Sequence, residues 1–181
     1  MEDVTNMRLT KTPSPVWLSW LTYQQALTKR LDTLAGNSRL QVLSHAWGAA
    51  DRWDKDVLML KDTQIIHREI LMWAQDVPCW YARTILPQTT YEANHLFYDR
   101  LANETLGDLI FNTPKLERLS LIHYNMQPES TEATWVMNAL AEHPYESQET
   151  HWIRSSAFSL ENASPFYLVE ILLPGLARFF P

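Results

Sequence analysis

Alternation of apolar and polar residues is strongest in the middle of the chain, where it predicts β-strands. Residues 65–74 and 79–86 both alternate, and the stretch 75–78 between them is typical of a β-hairpin loop. Other stretches have strand length and a composition that favours β-structure. These further predicted strands are residues 40–45, 119–124, 151–160 and 166–173.

Apolar residues recur at helical intervals before and between the predicted strands. The segments with this spacing are residues 15–35, 91–101 and 106–111. The first is one broken helix or two short ones that end at Gly36, and Asn103 or Thr105 can cap the last. Residues 47–61 show no clear period and stay unassigned. This order of elements predicts an α+β domain, with a single antiparallel β-sheet and helices packed on one of its faces.

The chain has 181 residues, no internal repeat and no linker rich in Ser or Gly, so we expect one domain over residues 1–181. Residues 1–15 precede the first helical pattern and are predicted to be a loosely ordered arm. No window of eighteen residues is free of charge, and we expect neither an export signal nor a membrane span. The single cysteine, Cys79, fits the reducing cytoplasm.

Charge and glycine content exclude several classes of protein. The net charge of −6 disfavours a nucleic-acid-binding protein. The chain has only four glycines, and they are scattered, which excludes the glycine-rich loops that hold nucleotide phosphates. We therefore expect no nucleotide cofactor.

Two charged residues lie on predicted apolar strand faces. Period two places Arg68 on the face of Ile66 and Ile70, and it places Glu170 on the face of Leu168 and Leu172. Such charges cost free energy unless each is paired or contacts a ligand. They could pair with each other or with a nearby charge such as Arg154. The functional alternative is a small apolar pocket for an aromatic or cyclic carboxylate, in which Arg68 binds the carboxylate and Glu170 a hydroxyl.

Other catalytic arrangements have little support in the sequence. The six histidines show no metal-ligand spacing, and one cysteine excludes a thiolate cluster, so we expect no metal site. A dyad of Cys79 with a histidine stays formally open. The neighbours of Cys79 in the sequence are bulky aromatic residues, and a cysteine in such a setting is more often a buried, inert thiol.

Six segments resemble the chorismate pyruvate-lyase family, which catalyses the first committed step of bacterial ubiquinone synthesis. Each segment is a weak signal by itself, but their order and spacing agree along residues 16–174. The matching segments are ALTKRL (26–31), REIL (68–71), WYARTILP (80–87), LGDLIF (106–111), WIRSS (152–156) and LVEILLP (168–174).

The resemblance implies a fold, a site and the absence of any metal or organic cofactor. The fold is one antiparallel sheet with helices. In the family, the arginine that matches Arg68 binds the carboxylate of the aromatic product, helped by backbone N–H groups at the positions of Leu27 and Leu106. The glutamate that matches Glu170 meets the 4-hydroxyl group. Leu27 and Leu106 would each lie near a helix start, where free N–H groups favour an anion.

The implied reaction is the loss of pyruvate from chorismate, which gives 4-hydroxybenzoate. Arg68 and Glu170 would be the catalytic residues, and Arg154 or Arg83 would stabilise the departing enolpyruvyl carboxylate. The substrate gains aromaticity, so the protein supplies mainly orientation and electrostatic stabilisation. We expect a monomer whose partners are the small molecules chorismate, 4-hydroxybenzoate and pyruvate.

The chain departs from the family pattern at three positions. Ala26 replaces a serine that could cap the helix starting near Leu27, at a cost of about 1 kcal/mol. Ser155 and Ala157 replace arginines in the strand that contains Arg154. If those arginines attract the dianionic substrate, this protein attracts it less strongly.

A ligand-sensing domain is the alternative function, because some bacterial transcription regulators share this fold. No helix-turn-helix region precedes residue 16, and both charged pocket residues of the lyase are present, which favours the enzyme. Release of a buried product needs a gate, and residues 87–92 or 124–132 could supply it.

Overall fold

The computed structural model describes residues 11–143 and 150–181, so residues 1–10 of the predicted N-terminal arm lie outside the described residues. Short helices precede and separate the strands along the chain. The helices are α1 (Pro15–Leu21), α2 (Leu27–Ala35), α3 (Arg52–Val57), α4 (Gln88–Ala93), α5 (His95–Tyr98), α6 (Leu106–Phe111) and α7 (Thr131–Ala139). The strands are β1 (Ser38–Ala49), β2 (Gln64–Ala74), β3 (Val77–Pro87), β4 (Leu116–Asn125), β5 (Trp152–Leu160) and β6 (Phe166–Leu172), and 3-10 turns span Asp99–Ala102 and Pro174–Phe179.

The described strands form one six-stranded antiparallel sheet in the order β1-β2-β3-β6-β5-β4. This confirms the predicted α+β class with a single antiparallel sheet. Strands β3 and β6 occupy the centre, and β1 and β4 form the edges. Each edge strand contains an irregularity, at residues 42–44 and 118–120, where its register with the neighbouring strand shifts.

The predicted β-hairpin forms with a tighter turn than expected. Gln75 and Asp76 both have positive φ angles, 47° and 61°, as in the two-residue turns that match the twist of paired strands. Strand β3 therefore begins at Val77, inside the predicted loop. Pro78 lacks an N–H donor, and it is accommodated because the register shifts at the facing residues Met72 and Trp73.

The first helical segment is divided into α1 and α2, one of the two predicted possibilities. Helix α2 ends at Gly36, whose φ of 75° is the left-handed conformation that glycine adopts without strain. At the other end, Ala26 occupies the N-cap position and makes no side-chain hydrogen bond to the helix. Helix α2 therefore lacks a side-chain cap at its start, as predicted from Ala26.

Helices cover both faces of the sheet, which differs from the prediction of one covered face. On the first face, Trp20 and Leu31 of α1 and α2 pack against Trp80. On the opposite face, Trp53 of α3 and Trp135 of α7 pack against the sheet, with their ring centroids 4.9 Å apart. Each of these two helices buries an acidic residue beside its tryptophan, Asp54 in α3 and Glu132 in α7, so neither has the purely apolar buried side that a helical pattern in the sequence requires.

The structure contains no helix, within residues 11–143 and 150–181, that is long and apolar enough to cross a membrane.

The attachment of α2 to the sheet gives a stability prediction. Leu31 is fully buried, whereas Leu34, one turn further along the same helix, is 39% exposed. Replacing Leu31 by alanine should lower the free energy of unfolding by about 2–5 kcal/mol, because it leaves a cavity in the core. Leu34→Ala is the matched control and should change it by much less. Denaturant unfolding of both variants checks this, and equal losses would contradict the packing described here.

Candidate functional site

A cavity lies between the first face of the sheet and the first turns of α2 and α6. We call it the sheet–helix cavity; its empty space is about 600 Å³, including the open mouth. Five of the residues predicted from the sequence line it, namely Leu27, Arg68, Leu106, Arg154 and Glu170. Most of the remaining wall is apolar and includes Leu40, Ile70, Met72, Trp80, Ala82, Ile110, Phe158 and Leu168. A mainly apolar cavity with a few convergent charged groups is typical of a small-molecule site.

Strand register explains why Arg68 and Glu170 share this cavity. Arg68 on β2 pairs with Thr84 on β3, and Ala82, two residues earlier on β3, pairs with Glu170 on β6. Because side chains alternate between the two faces, Arg68, Ala82 and Glu170 project from the same face. Strand β3 separates the two charged residues, and their positions differ by two residues along the strands, so their backbones lie about 12 Å apart.

Glu170 forms a buried ion pair with Arg154 on the neighbouring strand β5. The distance from Arg154 Nε to Glu170 Oε2 is 2.7 Å, and the two side chains are only 1% and 9% exposed. These two atoms are too poorly aligned for a hydrogen bond, whereas Arg154 Nη1 donates one to the carbonyl oxygen of Trp20 at 2.8 Å. The sequence left open whether Glu170 pairs with Arg68 or with a charge such as Arg154. In the structure it pairs with Arg154.

Arg68 is buried without a counter-charge among the described residues. Its exposed fraction is 5%, and its Nε has no hydrogen-bond partner. Burial lowers the pKa of the Arg68 guanidinium, and no neighbouring carboxylate opposes this shift. A desolvated guanidinium is unfavourable unless an anion meets it, so the cavity around Arg68 is suited to an anionic group.

Two helix starts add backbone donors to the same cavity. Helix α2 begins at Leu27, and α6 begins at Leu106 after Thr105, whose hydroxyl accepts a hydrogen bond from the Asp108 N–H. A Cβ atom on Gly107 would lie only 3.3 Å from Thr28 Oγ1, so the absence of a side chain lets the two helix starts pack closely. Free N–H groups at a helix start favour negative charge, as the unpaired Arg68 does.

Comparison with known protein families gives a match over nearly the whole chain. A sequence model of the family described as chorismate lyase matches residues 4–178. The chain belongs to the chorismate lyase family. A probable chorismate pyruvate-lyase of Pseudomonas syringae pv. tomato is 31% identical over 173 residues, which cover 93% of this chain and 86% of the relative. A probable chorismate pyruvate-lyase of Nitrosomonas europaea is 24% identical, covering 88% of this chain and 87% of the relative.

Solved structures with the same fold include effector domains of transcription regulators. A GntR-family regulator from Bacillus cereus has a TM-score of 0.54 at 13% identity, covering 76% of this chain and 92% of that one. The effector domain of PhnF from Mycobacterium smegmatis has a TM-score of 0.53 at 11% identity, covering 83% and 89%. At such low identity the likeness concerns the fold, whereas the sequence match is to the chorismate lyase family.

Arg83 was predicted to belong to the site of this chorismate lyase family member, and the structure places it elsewhere. It alternates with Ala82 and Thr84, which line the cavity, and therefore projects from the opposite face of the sheet. There its Nη2 donates to Asp51 Oδ2 at 3.1 Å, and its guanidinium lies 4.3 Å from the centre of the Trp135 ring. Arg83 therefore cannot meet a ligand in the sheet–helix cavity.

Ser155 and Ala157 also lie away from the cavity. They pair with Val169 and Tyr167 on β6, residues that project from the opposite face of the sheet. Arg154, which precedes Ser155 on β5, remains in the cavity wall. The two replacements that the sequence comparison noted therefore remove no positive charge from the cavity.

Arg118 lines the cavity and was missed by the sequence analysis. Its Nη1 donates to the carbonyl oxygen of Gln24 at 3.0 Å, and its guanidinium lies 5.1 Å from the centre of the Phe158 ring. The strand was predicted to begin at residue 119, whereas β4 begins at Leu116. An extension of the alternating pattern by three residues would have placed Arg118 within the strand.

The two segments predicted as gates do not border the cavity. Residues 87–92 form the end of β3 and most of α4, and residues 124–132 form the end of β4 and the start of α7. None of these residues lines the sheet–helix cavity, and α7 packs on the opposite face. The cavity is instead bordered by the first turns of α2 and α6.

Cys79 has the properties of an inert core residue. It is fully buried, its Sγ contacts the carbonyl oxygen of Val77 at 3.5 Å, and burial raises the pKa of its thiol to about 12. A thiol in this state is not a nucleophile near neutral pH. The alternative of a dyad between Cys79 and a histidine is therefore wrong.

A polar network on the opposite face contains three groups that could ligate a metal. One ligand atom each of Asp51, Asp54 and His67 lies within 4.8 Å of the others. The carboxylates already have partners, since Asp54 Oδ2 lies 2.9 Å from His67 Nε2 and Asp51 forms an ion pair with Arg83. The neighbouring guanidinium opposes a second cation, so this arrangement is best described as a partly buried network of charged and hydrogen-bonded side chains.

The Asp54 carboxylate gives a pH prediction. Burial by itself would raise its pKa. Hydrogen bonds from His67 and the Asp51 N–H, together with the charges of His67 and Arg83, hold the pKa below the ordinary value. Its contribution to stability is therefore present above the unfolded-state pKa of about 3.9 and is lost as the pH falls towards the folded-state pKa. The free energy of unfolding should fall with acidification in this range.

Asp54→Asn should remove this contribution already at neutral pH, lowering the free energy of unfolding by about 1.5–3 kcal/mol, and should flatten the acid dependence. Asp56→Asn is the matched control, because Asp56 is exposed and pairs only with Arg52 on the same helix. Denaturant unfolding between neutral and acidic pH measures both variants. An unchanged acid dependence in Asp54→Asn would show that another group is responsible.

Proposed function

We propose that the protein is a chorismate pyruvate-lyase, which eliminates pyruvate from chorismate and forms 4-hydroxybenzoate for ubiquinone biosynthesis. The observation that carries this proposal is the buried, unpaired Arg68 in an apolar cavity that also contains Glu170. A cyclic carboxylate with a hydroxyl group on the far side of its ring fits these two groups. Membership of the chorismate lyase family supports the same substrate.

In this proposal Arg68 binds the ring carboxylate. A guanidinium can donate two parallel hydrogen bonds to a carboxylate, and the burial of Arg68 strengthens them because water does not compete. Backbone N–H groups at Leu27 and Leu106 add donors from the two helix starts. Only backbone atoms are needed there, so leucine at position 27 serves as well as another apolar residue.

Glu170 meets the 4-hydroxyl group at the other end of the ring. Arg154 contacts Oε2 of the carboxylate at 2.7 Å, which holds Glu170 in place and leaves Oε1 for the ligand. The carboxylate then accepts the hydrogen bond of the hydroxyl and fixes the rotation of the ring. Both ends of the ligand are thereby positioned before the reaction begins.

The chemistry needs little more than this positioning. The bond between ring carbon C3 and the ether oxygen breaks, its electrons leave with the enolpyruvyl oxygen, and a proton is lost from C4. The ring becomes aromatic, and the enolpyruvate takes up a proton to become pyruvate. Since aromatisation supplies the driving force, we infer that the enzyme uses no cofactor and acts through orientation and electrostatic stabilisation. We propose the cytoplasm as its compartment and a monomer as its active form.

Arg68→Gln tests the proposed role of the unpaired guanidinium. The variant keeps hydrogen-bonding capacity but loses the charge, so kcat/KM for chorismate should fall about 100-fold or more. Binding of 4-hydroxybenzoate should weaken as well, because the product retains the ring carboxylate. Arg100→Gln is the control, since Arg100 is exposed and pairs only with Glu104. Steady-state kinetics and calorimetric titration measure the two effects, and wild-type values in Arg68→Gln would refute the assignment.

A further inference from the structure

The proposed substrate carries one carboxylate more than the proposed product. How the protein binds this additional carboxylate is inferred on the basis of the proposed lyase function. Chorismate carries a ring carboxylate and an enolpyruvyl carboxylate, whereas 4-hydroxybenzoate keeps only the first. With Arg68 assigned to the ring carboxylate, the second carboxylate needs its own cation. Arg154 is engaged by Glu170, and Arg83 lies on the opposite face.

Arg118 is a cation at the required side of the cavity. The enolpyruvyl ether is attached next to the ring carbon that carries the hydroxyl group, so it lies on the Glu170 side of the ring, away from Arg68. Strand β4, which contains Arg118, lies beyond β6 and β5 as seen from β2. Arg118 thus lines the cavity at the end where the leaving group is expected.

The guanidinium of Arg118 is anchored from one side by neutral groups. Its Nη1 donates to the carbonyl and side-chain oxygens of Gln24, at 3.0 and 3.2 Å, in the loop between α1 and α2. The Phe158 ring packs against it, and its buried Nε has no partner among the described residues. These contacts fix the position of the guanidinium without neutralising its charge.

The charges near Arg118 do not neutralise its guanidinium. Burial and the charge of Arg154 lower the pKa of Arg118, and the charge of Glu170 opposes this shift only in part. Glu170 forms its ion pair with Arg154. A partly desolvated cation beside a second cation is stabilised when an anion binds to it.

We propose that Arg118 binds the enolpyruvyl carboxylate of chorismate and thereby distinguishes the substrate from the product, which lacks this group. The cavity then offers Arg68 and Arg118 to the two carboxylates of the substrate, one at each end. The product loses its contact with Arg118 when pyruvate departs.

The test compares the effect of Arg118→Gln on the two ligands. KM for chorismate should rise about tenfold or more, as expected for a lost charge-assisted hydrogen bond. The Kd of 4-hydroxybenzoate should stay within about twofold of the wild type, because the product never contacts Arg118. Arg118→Lys keeps the charge and should show a smaller increase in KM. A purely structural role would weaken both ligands alike.

Arg39→Gln is the matched control. Arg39 lies on the other edge strand, β1, with its guanidinium 5.2 Å from the centre of the Trp73 ring, and it does not line the cavity. An unchanged KM in Arg118→Gln, or equal weakening of chorismate and 4-hydroxybenzoate in both Arg118 variants, would overturn the proposal while the lyase function stands. A folded wild type without lyase activity would instead refute the proposed function, and this inference with it.

Discussion

A guanidinium taken out of water, with no counter-charge in the part of the chain that the structure describes, is the feature around which this cavity is organised. Arg68 is 5% exposed, and the folded protein bears the cost of its desolvation until an anion binds. Its cross-strand neighbour His45 has a pKa lowered by burial and by the charge of Arg68, so the imidazole adds no second charge near neutral pH. The surrounding walls are apolar, and the nearby helix starts favour an anion. All of these features favour one carboxylate at Arg68.

The rest of the cavity balances charge differently. Glu170 and Arg154 neutralise each other, which leaves the excess positive charge of the cavity on Arg68 and Arg118. The chain as a whole has a net charge of −6, so its average field repels a dianion. Concentrating uncompensated arginines in a partly desolvated cavity overcomes this repulsion locally, because electrostatic interactions are stronger where water is excluded.

Alternation within strands was the part of the sequence that predicted the site. Arg68 and Glu170 break apolar faces, and the sheet brings both to one cavity because a strand repeats every two residues. The same rule, applied to Arg83, would have placed it on the opposite face. Helices α3 and α7 were not predicted, because each buries an acidic residue beside apolar ones, Asp54 in α3 and Glu132 in α7, and the apolar pattern is therefore broken. The pairing of Glu170 with Arg154 depends on strand order, which residue spacing within single strands does not contain.

The position of Arg118 shows a further limit of sequence reasoning. Strand β4 has an irregular register between Arg118 and Ser120, so a regular alternation drawn through the strand assigns its two ends to different faces. The contact of Arg118 with Gln24 joins residues 94 positions apart, and no local pattern predicts such a contact. Both features became visible only when the sheet and the loop between α1 and α2 were placed together.

Conversion of chorismate, as opposed to binding of a carboxylate alone, distinguishes the proposed lyase from an effector-binding domain. The most direct measurement is incubation of the purified, folded protein with chorismate, with 4-hydroxybenzoate and pyruvate followed by NMR. For a lyase, we expect both products to form in equal amounts, faster than in the protein-free control. A protein that binds 4-hydroxybenzoate but leaves chorismate at the uncatalysed rate would contradict it and would indicate an effector-binding domain.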